Sequence, residues 1–66
     1  MVNHLRCFRS KKRLTQSDLA KLVSVSRQTI ISIESNKYSP SVVLALKLAK
    51  ILHVNVEDIF ELEEID

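Results

Sequence analysis

The sequence predicts an all-α fold, a compact bundle of five short helices. Apolar residues recur at the three- and four-residue spacing of helices along most of the chain. Residues that favour helix starts, Thr15, Ser26 and Asn55, precede such stretches. The segments between the helices are short, so successive helices must be neighbours. Residues 1–66 are therefore expected to form one domain.

The first helix is predicted to end with the basic run Lys11–Arg13, and the second to start shortly after it. Helix one covers roughly residues 4–13, where apolar residues lie three apart. Thr15 caps helix two, because a Thr followed three residues later by an acid, Asp18, is a relative of the capping box. This helix ends near residue 23, and the small Ala20 lets a neighbour approach. Its apolar face is expected to consist of Leu19, Leu22 and Val23.

The third and fifth helices are predicted from their first residues. The Ser26 side chain can accept a hydrogen bond from an amide of the first turn of helix three. Ile30 and Ile33, three residues apart, form the buried stripe of that helix. Asn55, with Asp58 three residues on, starts a short fifth helix. The apolar residues of helix five are Ile59 and Phe60.

Helix four is predicted over the stretch VVLALKLAKIL. Pro40 prevents helix three from continuing, and either Ser39 or Ser41 can cap the new helix. The residues of this helix that we expect to be buried are Val42, Ala45, Leu46, Ala49 and Leu52.

Charge is divided between the two halves of the chain. Residues 1–38 hold eight Lys and Arg and two acids, whereas residues 39–66 hold two Lys and six acids. The net charge of +2 thus conceals a basic half of +6 and an acidic half of −4. A division of this kind indicates a polyanionic partner on one face. The alternative is charge that serves only solubility.

Several classes of protein are not supported by the sequence. The single cysteine, Cys7, excludes an internal disulfide and favours a reducing compartment. No segment resembles a signal peptide or a membrane span, which predicts a soluble, cytoplasmic protein without a membrane partner. His4 and Cys7 lie three apart but lack further ligands, so we expect no metal or cofactor and interpret Cys7 as a small buried residue. No catalytic triad spacing is present, and we expect no enzyme.

The stretch VSRQTI indicates what the polar residues at the start of helix three do. Only about three residues separate helices two and three, which is typical of a helix-turn-helix unit. In that unit the second helix enters the DNA major groove by its N-terminal residues. Arg27 can bind guanine and Gln28 can bind adenine by paired hydrogen bonds. Ser26 and Thr29 can contact a phosphate or a base edge.

Three motifs, TQSDLA, VSRQTI and IESNKYSPS, together resemble the phage repressor and Cro family of XRE-type regulators. The resemblance covers residues 5–60, and the length is similar to that of short stand-alone members such as the cytolysin repressor. It implies a homodimeric repressor that binds a palindromic operator in double-stranded DNA. It also implies a short strand at residues 1–4 that pairs with another near residues 60–64.

The resemblance assigns roles to individual residues. The positions that would read bases are Arg27, Gln28, Thr29 and Ser32. The positions that would contact the DNA backbone are Gln16, Ser26, Asn36, Lys37 and Tyr38. Arg9 and Glu34 match an ion pair that fixes helix one to helix three. Such a pair, if buried, positions the helices more than it stabilises them.

The chain contains no glycine, although members of the family usually have glycine after helices two, three and four. Ser24, Asn36 and His53 occupy those places here. All three are therefore predicted to have positive φ, which Asn and His adopt more readily than Ser.

Oligomerisation is expected because a chain this short buries only about 60% of its unfolded surface. We predict a dimer interface at the apolar end formed by Val54, Val56, Ile59 and Phe60. The main hypothesis is a dimeric, sequence-specific DNA-binding repressor. The alternative is a protein-interaction module, an antitoxin or adaptor, that uses the same bundle.

Overall fold

The computed structural model describes residues 1–66, which form five helices and two short strands. The predicted five-helix fold is confirmed, with the implied strand pair. The elements in chain order are β1 (Val2–Asn3), α1 (Leu5–Lys11), α2 (Gln16–Leu22), α3 (Arg27–Glu34), α4 (Val42–Leu52), α5 (Val56–Ile59) and β2 (Phe60–Glu61). The strands are antiparallel, and Val2 lies opposite Glu61. No helix has the length and apolar character needed to cross a bilayer.

The starts of three helices are fixed by side chains of the expected kind. Thr15 and Asp18 form a reciprocal capping box, with both hydrogen bonds at 3.0 Å. Ser26 accepts from the Thr29 amide at 3.2 Å. Ser41, not Ser39, caps α4, and its hydroxyl oxygen lies 3.1 Å from the Leu44 amide.

The turns after α2, α3 and α4 use left-handed backbone conformations without glycine. Ser24 and Asn36 both have a φ of 61°, and His53 has a φ of 57°, as predicted. Arg13 also has a positive φ, of 56°, which was not predicted. This residue follows the end of α1, so α1 is shorter than the predicted range 4–13.

The core lies where α2, α3 and α4 meet, with one residue each from α1 and α5. It consists of aliphatic side chains alone, and no buried polar residue interrupts it. The buried residues are Leu5, Leu19, Ala20, Val23, Ile30, Ile33, Leu44, Ala45, Leu48, Ala49, Leu52 and Ile59.

The predicted buried face of α4 is wrong at two positions. Val42 is 76% exposed and Leu46 is 57% exposed, whereas Leu44 and Leu48 are buried in their place. The reason is that α4 is apolar at all positions except two lysines. A helix that is apolar almost all round carries no periodic signal to tell which face meets the core.

Two smaller expectations about burial are also wrong. Leu22, in the last turn of α2, is exposed, and Cys7, in α1, is exposed. Each lies on the outward side of a helix whose other face already fills the core. Apolar character alone did not distinguish these sides, since exposed apolar residues are common on protein surfaces.

Replacing Ser24 with glycine should stabilise the fold by about 0.5–1 kcal/mol, reduced by the entropy that glycine adds to the unfolded chain. The reason is that Ser24 has a φ of 61°, where a Cβ is strained. Urea denaturation measures the change. Ser10→Gly, in the regular helix α1, is the matched control and should destabilise by about 0.5–1 kcal/mol. Equal destabilisation by both would contradict the strain at Ser24.

Candidate nucleic-acid interface

The turn between α2 and α3 sets these helices in the helix-turn-helix arrangement. Val23 caps α2, and Ser24 then reverses the chain through the left-handed region. The Val25 amide donates to the Ala20 carbonyl at 2.9 Å, and the Val25 side chain packs against the core. Ser26 then starts α3. The turn therefore has a fixed geometry even though it contains no glycine.

Helix α3 has one anchored face and one presented face. Ile30 and Ile33 are fully buried and fix the rotation of the helix about its axis. Arg27 and Gln28, in the first turn, are exposed. Residues that protrude from the first turn of a helix so anchored can reach into a groove of a partner.

A hollow of about 260 Å³ lies beside the presented face of α3. It brings together three of the predicted base-reading residues with two of the predicted backbone-contacting residues. Its lining consists of Ser26, Gln28, Thr29, Ser32 and Tyr38. The two hydroxyls of Ser26 and Thr29 lie 3.0 Å apart, so they form part of a polar surface.

A second hollow, of about 600 Å³, lies on the other side of Arg27 and is lined by no apolar residue. Its walls come from α1, from α3, and from the start of α2. The lining residues are Arg6, Arg9, Thr15, Gln16, Ser17, Arg27 and Glu34. Arg6 and Ser17 were not assigned from the motifs. The sequence signal that could have indicated Arg6 is its position three residues before Arg9, about one helical turn away.

The predicted ion pair closes the floor of this second hollow. Arg9 Nε donates to Glu34 Oε2 at 2.7 Å, and Arg9 Nη2 donates to Glu34 Oε1 at 3.2 Å. Arg9 Nη1 donates to the Leu14 carbonyl at 2.8 Å. The two side chains are only 13% and 6% exposed. Arg9 thus connects α1, the segment before α2, and the end of α3.

Gln16 is held by the same ion pair. Its Nε2 donates to Glu34 Oε1 at 3.2 Å. An amide nitrogen carries two hydrogens, so Gln16 keeps one donor for another partner. Gln16 can therefore orient Glu34 and contact a phosphate at the same time.

The loop after α3 presents the remaining predicted backbone contacts. The Asn36 amide donates to the Ile33 carbonyl at 3.0 Å, and the Lys37 amide donates to the Ser32 carbonyl at 2.9 Å. These bonds close the C-terminal end of α3. Asn36, Lys37 and Tyr38 are exposed, with Tyr38 next to the hollow that Gln28 lines.

The Asp18 carboxylate of the capping box remains charged at neutral pH. A hydrogen bond from the backbone amide of Thr15, and then the interaction with the Thr15 side chain, hold the pKa of the Asp18 carboxyl below its ordinary value. A lowered pKa stabilises the folded state above the ordinary pKa of an aspartate. That contribution is lost only as the pH falls through the lowered value. The start of α2 is therefore maintained across the neutral range.

The residues predicted for the dimer interface do not lie at one exposed end. Ile59 is fully buried in the core of the protomer, so its assignment to an interface is wrong. Val54, Val56 and Phe60 are half-buried against that core. Ile59 is one of the residues that fill this small core. Large exposed apolar residues are found instead at Val42, Val43, Leu46, Leu62 and Ile65, among others.

The structure contains no group of three or more side chains that could hold a metal ion. His4, one of the two residues considered for such a site, lies with its Nε2 3.2 Å from Glu61 Oε1.

Comparisons with known proteins identify the fold and the family. A family model described as Helix-turn-helix matches residues 5–59, which is most of the chain. The chain belongs to the helix-turn-helix family. This confirms the resemblance inferred from TQSDLA, VSRQTI and IESNKYSPS. The family consists of DNA-binding regulators, not enzymes, as expected from the sequence.

Relatives of this helix-turn-helix protein extend over nearly its whole length. A HTH-type transcriptional regulator of Methanocaldococcus jannaschii is 55% identical over 64 residues, which cover 97% of each chain. The HTH-type transcriptional regulator YgzD of Bacillus subtilis is 41% identical over 64 residues, again 97% of each chain. Both names describe transcriptional regulators.

Solved structures share the arrangement of the elements. The restriction-modification controller protein C.AhdI from Aeromonas hydrophila is 33% identical, with a TM-score of 0.79 over 86% of each chain. The SinR protein in its complex with the SinI protein is 25% identical, with a TM-score of 0.82 over 98% of this chain and 70% of that one.

Replacing Glu34 with alanine should destabilise the helix-turn-helix protein by about 3 kcal/mol, because Arg9 would be left buried without its partner. Thermal or urea unfolding measures the change. Glu57→Ala, at an exposed acid in α5, is the matched control and should change stability by no more than about 0.5 kcal/mol.

The double variant Arg9→Met/Glu34→Leu separates the cost of an unpaired charge from the worth of the pair. It should recover most of the stability lost in Glu34→Ala, because no charge remains unpaired. Equal stability of Glu34→Ala and the wild type would show that the pair has no role in the fold.

Proposed function

We propose that this helix-turn-helix protein binds a palindromic operator in double-stranded DNA as a homodimer and represses transcription by excluding polymerase. The observation that carries the proposal is the presentation of α3. Buried Ile30 and Ile33 hold the helix, while Arg27 and Gln28 protrude from its first turn between two polar hollows. This is the form in which a helix reads base edges.

The proposed division of labour follows the chemistry of the side chains. Arg27 and Gln28 can each make paired hydrogen bonds to a base edge. Thr29 and Ser32 line the same hollow as Gln28, whereas Arg27 lines the larger hollow beside it. The groups proposed to contact phosphates are hydroxyls, amides, an ammonium and a phenol, which suit an anion of fixed shape. They are Gln16, Ser26, Asn36, Lys37 and Tyr38.

The charge and size of the protomer support a two-fold complex on DNA. Residues 1–38 carry a net charge of +6 and include every residue assigned to DNA contact. The longest dimension of the protomer is 32 Å, and it carries one helix-turn-helix. Successive major grooves on one side of a duplex lie about 34 Å apart, so two protomers side by side can occupy two half-sites. A promoter covered over that length is closed to polymerase.

Arg27→Ala should weaken binding to the operator by about 1–3 kcal/mol and relax the preference at one base pair, because a guanine edge is lost as a partner. Gln28→Ala should do the same at a neighbouring base pair. Selection from random duplexes defines the operator, and titration on operator and scrambled DNA measures the two variants. If Arg27→Ala lowers both affinities equally, Arg27 holds the backbone and does not read a base.

Lys37→Ala should weaken operator and scrambled DNA by similar factors, because a phosphate is the same under every base. It should also make the slope of log K against log salt shallower by about one unit per subunit. Lys21→Ala, at another exposed lysine outside the assigned contacts, is the matched control. A wild-type protein whose DNA binding does not respond to salt would favour the protein-interaction alternative.

The wild-type protein should sediment as a dimer, free or on operator DNA, at micromolar concentration. A two-fold complex requires both helix-turn-helix units to be presented with a fixed spacing. A species that remains monomeric under both conditions would contradict the proposed palindromic operator as well as the homodimer.

A further inference from the structure

The C-terminal tail, residues 61–66, presents apolar side chains between acids. Leu62 is 84% exposed and Ile65 is 90% exposed. The other four residues of the tail are all acidic: Glu61, Glu63, Glu64 and Asp66. Two large apolar residues that remain in water within six residues have no stabilising contact in the protomer. Leu62 and Ile65 are the two most exposed of the large apolar residues, and burying them against a partner would remove apolar surface from water.

The tail is fixed to its own N-terminus. The Met1 ammonium lies 3.0 Å from Glu63 Oε1 and 3.0 Å from Asp66 Oδ2. The hydrogen bonds that the ammonium donates to Asp66 and then to Glu63 raise the pKa of the Met1 amine. The Glu63 amide and then the amine lower the pKa of Asp66, so both groups are charged at neutral pH. The tail is thus held at the N-terminus while Leu62 and Ile65 remain exposed.

The exposed side of α4 is apolar and basic, and so complements the apolar and acidic tail. Its outward side begins with Val42, Val43 and Leu46 and continues with Lys47 and Lys50, all exposed. The spacing of Val43, Leu46 and Lys50 is that of one helix face. This surface is thus apolar at its start and basic at its end. We name it the α4 face.

A hollow of about 190 Å³ adjoins the α4 face. Val42 belongs to both, and Met1 lines the hollow at the side where the tail is held. Most of the lining is apolar. The residues are Met1, Ser39, Pro40, Val42, Ala45, Val56 and Phe60. The tail and the hollow therefore lie next to one another on the protomer, which places both at the same side of the molecule.

We propose that the tail of one protomer packs on the α4 face of a second copy, in a reciprocal two-fold contact. Leu62 and Ile65 cover the apolar start of the partner face and its hollow, and the tail acids lie against Lys47 and Lys50. This inference rests on the homodimer of the proposed function and names the surfaces that form it. Val56 and Phe60 then line the hollow from within the protomer.

Charge complementarity selects a second copy as the occupant. Lys47 and Lys50 are the only basic residues in residues 39–66, where the net charge is −4. The tail supplies four of the six acids in that half. Each copy carries both the apolar–acidic tail and the apolar–basic face, so a two-fold axis satisfies both contacts at once. Two equivalent contacts also double the apolar area removed from water.

Serine substitutions test the apolar part of the contact. Leu62→Ser/Ile65→Ser on the tail and Val43→Ser/Leu46→Ser on the α4 face should each raise the dimer dissociation constant on the order of tenfold or more. Analytical ultracentrifugation measures the constant, and circular dichroism confirms the fold. Leu22→Ser, which replaces an exposed leucine on α2, is the matched control and should leave the constant unchanged.

Charge reversal tests the pairing of the two surfaces. Glu61→Lys/Glu64→Lys leaves Glu63 and Asp66 to hold the tail, and Lys47→Glu/Lys50→Glu reverses the α4 face. Each variant alone should dimerise more weakly than the wild type, because both contacts of its homodimer set like charges together. An equimolar mixture should form a heterodimer close to wild-type affinity, since both contacts then join opposite charges.

The outcomes separate this inference from the proposed function. The contact between the tail and the α4 face would be overturned if both serine variants dimerised as tightly as the wild type. It would also be overturned if the mixture of charge-reversed variants did not recover dimerisation. Either result would leave the homodimer itself uncontradicted. A wild-type protein that is monomeric even on operator DNA would overturn both. Serine variants that become monomeric while Leu22→Ser stays dimeric, together with recovery in the mixture, would establish the contact.

Discussion

The Arg9–Glu34 ion pair is the contact on which the geometry of the proposed DNA-binding surface depends. Glu34 ends α3, where its negative charge meets the negative end of the helix dipole. The last turn of α3 contains no basic residue to offset that charge. Arg9 supplies the opposing charge from α1 and also binds the Leu14 carbonyl, while Gln16 adds a donor from α2. One carboxylate thus fixes three helices relative to one another. An interaction of this kind contributes position more than net stability.

A second tie holds the same end of α3. The Asn3 side chain donates to the Ile33 carbonyl and accepts from the Leu5 amide. Because Asn3 belongs to β1, the strand pair is joined directly to the end of α3. The C-terminal end of this helix is therefore tied on two sides, and the exposed Arg27 and Gln28, which are proposed to meet DNA, lie at its other end.

Features that depend on neighbouring residues could be predicted from the sequence, and those that depend on packing could not. The caps at Thr15 and Ser26 follow from side chains that reach amides two or three residues away. The motif around Arg27 and Gln28 likewise lies within one short segment. The buried face of α4 was mispredicted because almost every residue of that helix is apolar, so that the choice between Leu46 and Leu48 is made by the neighbouring helices.

The candidate site likewise combines residues that a local motif identifies with residues that only packing brings together. Individual contacts such as Gln28 and Ser32 were assigned from position in the motif, and the structure brings them to one hollow. The participation of Arg6 in the second hollow required the distance between α1 and α3, which no local pattern contains. Ile59 shows the converse error. Its apolar character was compatible with an interface or a core, and the structure buries it completely in the core.

The strand pair connects the two surfaces that the proposals assign. β1 carries Asn3, which is bonded to the end of α3, and β2 leads directly into the tail. A partner that holds the tail would also restrain β2. Through the strand pair it would restrain β1, whose Asn3 is bonded to the end of α3. The spacing and the tilt of two reading helices in a dimer would then be set by one continuous set of hydrogen bonds. In a two-fold complex this rigidity matters, since the DNA fixes the separation of the half-sites and the two reading helices must match it. A rigid connection between them avoids the entropy that a flexible linker would lose when the complex forms.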